Sequence, residues 1–476
     1  MALAARGVAM SPLGGASMTR GLVLALTFSL VSIGIAPAAW AACSGSSPNL
    51  TAPTWADVSA CYQIANNGDT ITVSAGTFTA TSGTSLASGK AVTLQGSGVV
   101  PGQGAATSGG TVINVSTTSY AVLGITESTA GNIRVRNLTF KAKAGSPVPN
   151  YGLVLINNRV SNGKVVVLDH LTFDFADKLT FGSGEGASAI MHAASRGVVS
   201  NSIFTGRPPG PGSYTTNRAA LRCAQNISIA PATWSTAPTY GSSDTGGVNN
   251  LYFETNRVEF YNDSIDLSDG CRLVVRHSTF TNSILKGHGA DSGYGARHFE
   301  YYNNHFVCAP GVLGSIGHWI FQRGGSGVVT ENVFDRIDRA TCGYVPGGGP
   351  AMAAQIYKLT QSYVGCWPSP YSYPVVRQIG WGWSGGGTTT QNGFRQDLEP
   401  TYFWNNTNNT TGSIVPMDAG SDTCGNGLRT ADYYKQDRDW YLSAKPGYVE
   451  YQYPHPLGST TSTSAPSASP SARRRR

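Results

Sequence analysis

Between residues 261 and 339 the chain sets acids, bases and cations close together in three polar stretches. They read Tyr261-Asn262-Asp263-Ser264-Ile265-Asp266-Leu267-Ser268-Asp269, then Lys286-Gly287-His288 on through Asp291, Tyr294, Arg297 and Glu300, then His318-Trp319-Ile320-Phe321-Gln322-Arg323. Lys286, His288, Arg297, His318 and Arg323 are the candidate catalytic groups. Such a mixture suits removal of a proton beside a carboxylate. A cation neutralises the carboxylate, a Lys, Arg or His takes the proton, and a Tyr or His protonates the leaving oxygen. In an acidic polysaccharide that reaction is β-elimination at a uronate. Asp263, Asp266 and Asp269 would supply hard oxygens to Ca²⁺, the expected cofactor. A lysine base needs a lowered pKa, which is easier to reach for Lys286 than for Arg297. Plainer accounts stand beside these. Spaced Asp residues form turns, Lys286 and His288 sit in a Gly-rich loop, Arg297 could pair with Glu300 across coils, and Arg323 could anchor a turn.

Positioning these groups together requires a scaffold that stacks distant segments, and the chain carries one in a recurring phrase. A few β-branched residues, a turn-forming polar residue, two more residues and a phenylalanine recur as Ile133 to Phe140, Val165 to Phe173, Gly197 to Phe204, Leu273 to Phe280, Phe299 to Phe306 and Val328 to Phe334. Short strands at this spacing, with no helical period between them, predict a solenoid. Asn137, His170, Asn201, His277 and Asn303 are expected at the bends, because such residues tolerate left-handed backbone. The phenylalanines should point inward and stack coil on coil. Regular Leu or Ala at helical spacing is absent, so the expected fold is an all-β parallel β-helix. Residues at equivalent coil positions then lie about 4.8 Å apart, which would gather Asp263, Asp266, Lys286, His288, His318 and Arg323 into one groove.

The segment Asp57 to Phe78, with its Gly68-Asp69-Thr70-Ile71 and Ala75-Gly76-Thr77-Phe78, resembles the opening of right-handed parallel β-helix proteins of the pectate-lyase-like superfamily. The likeness covers roughly residues 55 to 338 and implies a short amphipathic helix capping the first coil. The superfamily holds lyases, hydrolases, epimerases, adhesins and tailspikes, so it specifies a fold and leaves the activity open. Val167-Leu168-Asp169-His170 is similar to a segment of pectate lyases, although the Arg-rich motif that follows it there is missing. Lys286 and Arg297 loosely match a Lys and Arg on neighbouring coils of alginate and chondroitin lyases. A polygalacturonase-like hydrolase would use Asp263, Asp266 and Asp291 as its acid and base, but its paired-Asp motif and its RIK-type motif are absent. The functional expectation is a polysaccharide lyase. The alternatives are a non-catalytic glycan-binding or adhesion protein and a glycoside hydrolase.

Composition agrees with a turn-rich all-β chain: 59 glycines in 476 residues and 12% charged residues. Residues 1–41 read as a signal peptide, with an apolar run from Gly21 to Ala39 and Ala39-Trp40-Ala41 as the cleavage site. The expected location is therefore extracellular or periplasmic, with no membrane span afterwards. Eight cysteines in an exported chain imply disulfides, with Cys43–Cys61 and Cys342–Cys366 expected. Losing Arg6 and Arg20 with the leader brings the formal charge from +7 to +5, and Arg473 to Arg476 supply four of those positives. A body with so little excess charge argues against a nucleic-acid partner. Residues 42–339 are expected to form the β-helix and 340–457 Gly- and aromatic-rich loops, final coils and a strap. The tail 458–476 should be a disordered, basic-ended segment. Tyr294, Trp319, Trp381 and Trp383 are candidate sugar platforms, since the C–H face of a pyranose packs on an aromatic ring. The expected partner is extracellular polysaccharide, and the chain would be a monomer or a side-by-side trimer.

Overall fold

The computed structural model describes residues 43–458 apart from 88, 99–108, 150, 158–163, 177–187, 194–195, 208–218, 225–242, 262, 269, 290–294, 310–317, 336–350, 355–377, 383–388, 392–393 and 420–429. Of residues 353, 389–391, 394–396 and 430 only the backbone is described. Residues 1–41, expected to be a signal peptide, and the tail beyond 458 lie outside the described residues, as do Cys342, Cys366 and Cys424.

Among the described residues three long sheets carry the chain, of thirteen, ten and ten strands, parallel except where Ser44–Ser46 pairs antiparallel with Asn49–Ala52. One coil shows the order: Ile133–Arg136 in the first sheet, Leu138–Ala142 in the second, Val154–Asn157 in the third, then Val166–Asp169 back in the first. The fold is a right-handed parallel β-helix, as the resemblance implies. A small antiparallel sheet of Trp381–Gly382, Thr389–Gln391 and Phe394–Leu398 stands outside it.

The bend between first and second sheets is one left-handed residue wide. Asn137, His170, Asn201, His277 and Asn303 all have φ between 48° and 57°, and Thr255, Glu331 and Asn405 occupy the same position at 50° to 56°. The phenylalanines then stack inside the second sheet: Phe140 on Phe173 at 5.5 Å, Phe173 on Phe204 at 5.0 Å, Phe280 on Phe306 at 5.4 Å and Phe306 on Phe334 at 4.7 Å. Val258 interrupts the ladder between Phe204 and Phe280. Phe253, reaching in from the first sheet, fills the gap at 5.5 and 6.3 Å from its neighbours.

The residue after the bend builds a second ladder that the phrase does not announce. Asn256, Asn304, Asn332 and Asn406 are buried, and their Nδ2 groups donate to the carbonyls of Val199, Val275, Tyr301 and Val329 at 2.8 to 2.9 Å. Their Oδ1 atoms accept backbone N–H groups from the preceding coil, at Ser202, Ser278, Asn304 and Asn332. Tight corners leave main-chain groups without ladder partners, and these amides satisfy them.

Cys43–Cys61 ties the first strands to the capping helix Val58–Ile64, and Trp55 beside it packs edge-on against Phe140 at 6.0 Å. At the other end, Trp440–Tyr441 extends the first sheet, and residues 445–457 turn back along that sheet's outer face. Tyr448 donates to Glu300 at 2.7 Å, Arg276 donates to the carbonyls of Tyr451 and Gln452 at 2.6 and 2.8 Å, and Arg134 donates to the Leu457 carbonyl at 2.6 Å. Beneath this segment Val167, Val198, Tyr252, Val274 and Tyr302 form an outer apolar cluster closed by Tyr451 and Leu457. The first-sheet strands from Val166–Asp169 to Ser326–Thr330 are therefore buried on both faces, whereas the earlier strands Thr70–Val73, Thr93–Gly96 and Ile133–Arg136 alternate.

Candidate active site

The candidate groups face outward from the third sheet, whose strands Ile265–Ser268 and Leu285–Gly287 follow the second sheet after short turns. Leu221, Ile265, Leu285 and Ile320 pair in register and point into the core, so the next residue on each strand points out. Those outward residues are Arg222, Asp266, Lys286 and Phe321. Two residues further along, His288 and Arg323 continue the same face: the His288 N–H donates to the Leu267 carbonyl and the Arg323 N–H to the Gly287 carbonyl.

Charge is paired across the coils. The Lys286 ammonium bridges to Asp263, His288 Nε2 lies 2.8 Å from Asp266 Oδ1, and Arg222 Nε lies 3.7 Å from Asp266 Oδ2. Lys286 and His288 keep 22% and 26% of their side-chain surface in solvent. Burial pushes the Asp266 carboxyl up, but the charge and hydrogen bond of His288 and the charges of Arg222 and Arg323 outweigh it and hold it well below the carboxylate range. Phe321 floors the next coil. The His318 ring stacks on it at 5.1 Å, the Arg323 guanidinium lies 5.3 Å from its centre, and Arg323 Nε donates to the Gly287 carbonyl at 2.8 Å. Gly287 itself is required, because a Cβ there would come 2.0 Å from Nε2 of the buried Gln322. That glutamine is fixed by Tyr301 and by the Gly324 carbonyl.

The structure therefore gathers Asp263, Asp266, Lys286, His288, His318 and Arg323, and adds Arg222 and Phe321, which sequence reasoning missed. Arg297 stands apart from them. It is fully buried at the corner into the first sheet, its two terminal nitrogens donating to the Glu399 carboxylate at 2.7 and 2.8 Å. Its carboxylate partner is thus Glu399 rather than Glu300. A Cβ at Gly382 would come within 2.5 Å of this pair, so glycine lets the small antiparallel sheet close over it. Trp319 and Trp381 do not offer the open faces expected of sugar platforms. Trp319, 6% exposed, packs on Phe306, and Trp381, 7% exposed, donates its indole N–H to Asp439 at 3.1 Å. Trp319 fills the interior of the β-helix at a corner, whereas Trp381 is held in the small antiparallel sheet outside it. Asp269, Asp291, Tyr294 and Trp383 lie outside the described residues.

Calcium does not fit the donors that are described. Asp263 and Asp266 each already face cationic side chains, and no group of three His, Cys, Asp or Glu residues able to hold a metal occurs among the described residues. No helix among them is long and apolar enough to cross a membrane.

No family model and no curated protein matches the chain. Solved structures similar to it include an alginate lyase from Paenibacillus sp. str. FPU-7, 15% identical with a TM-score of 0.31 over 64% of this chain and 84% of that one. Another is a PL6 family polysaccharide lyase from Pseudopedobacter saltans, 12% identical with a TM-score of 0.34 over 81% of this chain and 86% of that one. At these values the likeness assigns neither a residue nor an activity here.

Proposed function

We propose that this protein binds an acidic polysaccharide along the outer face of the third sheet and cleaves it by β-elimination. One observation carries the reading: Arg222, Asp266 and Lys286 stand in register on three successive coils, with His288 held against Asp266. Guanidinium and ammonium groups two strand spacings apart, about 9.6 Å, suit a polyanion whose carboxylates must be neutralised before the adjacent proton can leave. In this reading Arg222 and Arg323 hold the uronate carboxylate. His288, its Nε2 turned to Asp266, takes the C5 proton on Nδ1. The electron pair forms the C4=C5 double bond, the C4–O bond breaks, and Lys286 returns a proton to the leaving oxygen. The disulfides Cys43–Cys61 and Cys223–Cys271 fit an oxidising compartment outside the cytosol.

A hydrolase would need a protonated carboxyl as its general acid. Asp266, held ionised by the hydrogen bond of His288 and the charges of Arg222 and Arg323, suits that role poorly. Binding without turnover is the reading favoured by the pairing of Lys286 with Asp263, which keeps that cation matched in the absence of substrate. Ultraviolet absorbance of unsaturated uronate, followed with pectate, alginate and glycosaminoglycans, separates the two. Absorbance should rise on at least one polymer, and Lys286→Ala and His288→Ala should abolish the rise while leaving the circular dichroism unchanged. Retained binding with no absorbance change on any polymer would leave the binding protein, and full activity in both variants would move the site elsewhere.

A further inference from the structure

The outward row of the third sheet does not stop at Arg222. Toward the N-terminus it continues in register through Met191 and Leu155 to Gly124, and its character changes from charged to apolar. Ala121, Leu155 and Met191 form a small buried cluster on the outside of the solenoid, separate from the main core. Tyr151 packs on that cluster, and Tyr120, on the preceding coil, lies over Tyr151 with ring centroids 4.0 Å apart and planes inclined at 35°. Backbone fixes the pair as well, since the Tyr151 N–H donates to the Tyr120 carbonyl at 3.2 Å. Tyr120 nevertheless leaves 46% of its surface in solvent.

We propose that Tyr120, seated on Tyr151, is a stacking subsite for a sugar unit of the same polysaccharide, several units away from the cleaved bond. The proposal rests on the reading of the third-sheet face as the polymer's track. Register supplies the distance: Leu155, Met191, Arg222, Asp266 and Lys286 stand on five successive coils, four strand spacings or about 19 Å in all. That length spans several hexose units, so a chain whose reacting unit lies over Lys286 and His288 and which follows the row reaches the tyrosines. Chemistry supplies the occupant. An aromatic face binds the C–H face of a pyranose, whereas Arg222 and Lys286 bind its carboxylate. Preorganisation supplies the affinity, because a tyrosine already fixed on a second ring loses little rotamer freedom when a ligand covers it.

The test uses the full chain and its Tyr120→Ala, Tyr151→Ala and Lys286→Ala variants. Retardation in native gels containing alginate, pectate or a glycosaminoglycan reads binding, and release of unsaturated product from a trisaccharide and from a hexasaccharide or longer reads catalysis. With Tyr120→Ala we expect KM for the long substrate to rise roughly three- to tenfold while kcat and the trisaccharide kinetics stay as in the wild type. Tyr120→Trp should restore the wild-type KM, and Lys286→Ala should keep Tyr120-dependent retardation. Tyr120→Ala binding and turning over long substrate as the wild type does would overturn the subsite and leave the elimination reading standing. Tyr120-dependent retardation without unsaturated product would support the subsite and remove the elimination. If no polymer retards the wild type, both fall.

Discussion

Acid should loosen the C-terminal strap before it disturbs the coils. The strap's anchor near its end is His455, 3% exposed, whose ring packs on Tyr252 and Tyr451 at 4.8 and 5.2 Å. Its N–H donates to Glu254 at 2.9 Å, and its Nδ1 accepts the Leu457 N–H at 3.1 Å. Burial and the neighbouring charge of Arg276 push the imidazole down from 6.5 to about 4. Above pH 6.5 the docked and released straps are both neutral at this residue, and docking carries no penalty. As pH falls from 6.5 toward 4 the released strap takes up a proton that the docked strap refuses, so docking weakens progressively and the loss is complete below about 4. The full shift corresponds to about 3 kcal/mol at about 1.36 kcal/mol per unit, and screening at the sheet surface reduces it to roughly 2, or about thirtyfold in the opening equilibrium. His277, stacked on Tyr453 at 3.6 Å and also lowered to about 4 by burial and Arg276, acts in the same direction. Glu450, raised by partial desolvation, opposes them, but much of it faces solvent and its share is small. Hydrogen exchange read by mass spectrometry, corrected for the intrinsic pH dependence, should show residues 448–458 losing protection between pH 6.5 and 4. The phenylalanine-ladder peptides should keep theirs. His455→Gln should flatten most of that profile. Protection that is constant through this window, or that falls equally in His455→Gln, would refute the linkage.

Three further outcomes follow from buried polar groups and one strained position. Arg297→Ala takes away the fully buried cation that pairs with the half-buried Glu399 and should lower stability by about 2–4 kcal/mol; a urea midpoint equal to the wild type would contradict the pairing, and kcat measured where the variant is fully folded should be unchanged. Asn332→Leu removes the partner of the Tyr301 carbonyl and of the Asn304 N–H and should cost about 2–4 kcal/mol, against a near-zero change if the ladder does not satisfy those groups. Thr255, a β-branched residue at φ 56°, should gain about 0.5–1 kcal/mol as Thr255→Asn, seen as a higher melting temperature.

The scaffold was legible because one local constraint repeats. A one-residue bend demands left-handed backbone, and Asn or His at Asn137, His170, Asn201, His277 and Asn303 advertises it. The phenylalanine three residues later must then face inward. Where the same geometry falls to less typical residues, at Thr255 and Glu331, the phrase fades although the bend persists. The amide ladder at Asn256, Asn304, Asn332 and Asn406 was hidden for a different reason. An asparagine among turn residues looks like any other turn former, and only stacking reveals that each one serves the coil before it.

Legibility of the site followed coil length. Asp266, Lys286 and Phe321 lie in register on successive coils, the first two reached by short turns, so aligning the repeat brings Asp263, Asp266, Lys286, His288 and Arg323 together as the structure does. Arg222 escaped because its strand, Leu221–Ala224, lies between two long insertions, residues 206–220 and 225–250, that break the period. Tyr120 and Tyr151 escaped because each sits just before its strand, outside the repeated phrase. Arg297 misled because its partner is Glu399, 102 residues away. From sequence it stands beside Lys286 and His288, and only the corner between third and first sheets turns it inward. In a solenoid, then, spacing identifies which residues share a face where turns are short. At corners and beside insertions, burial decides instead, and there a cation is as readily a structural group as a chemical one.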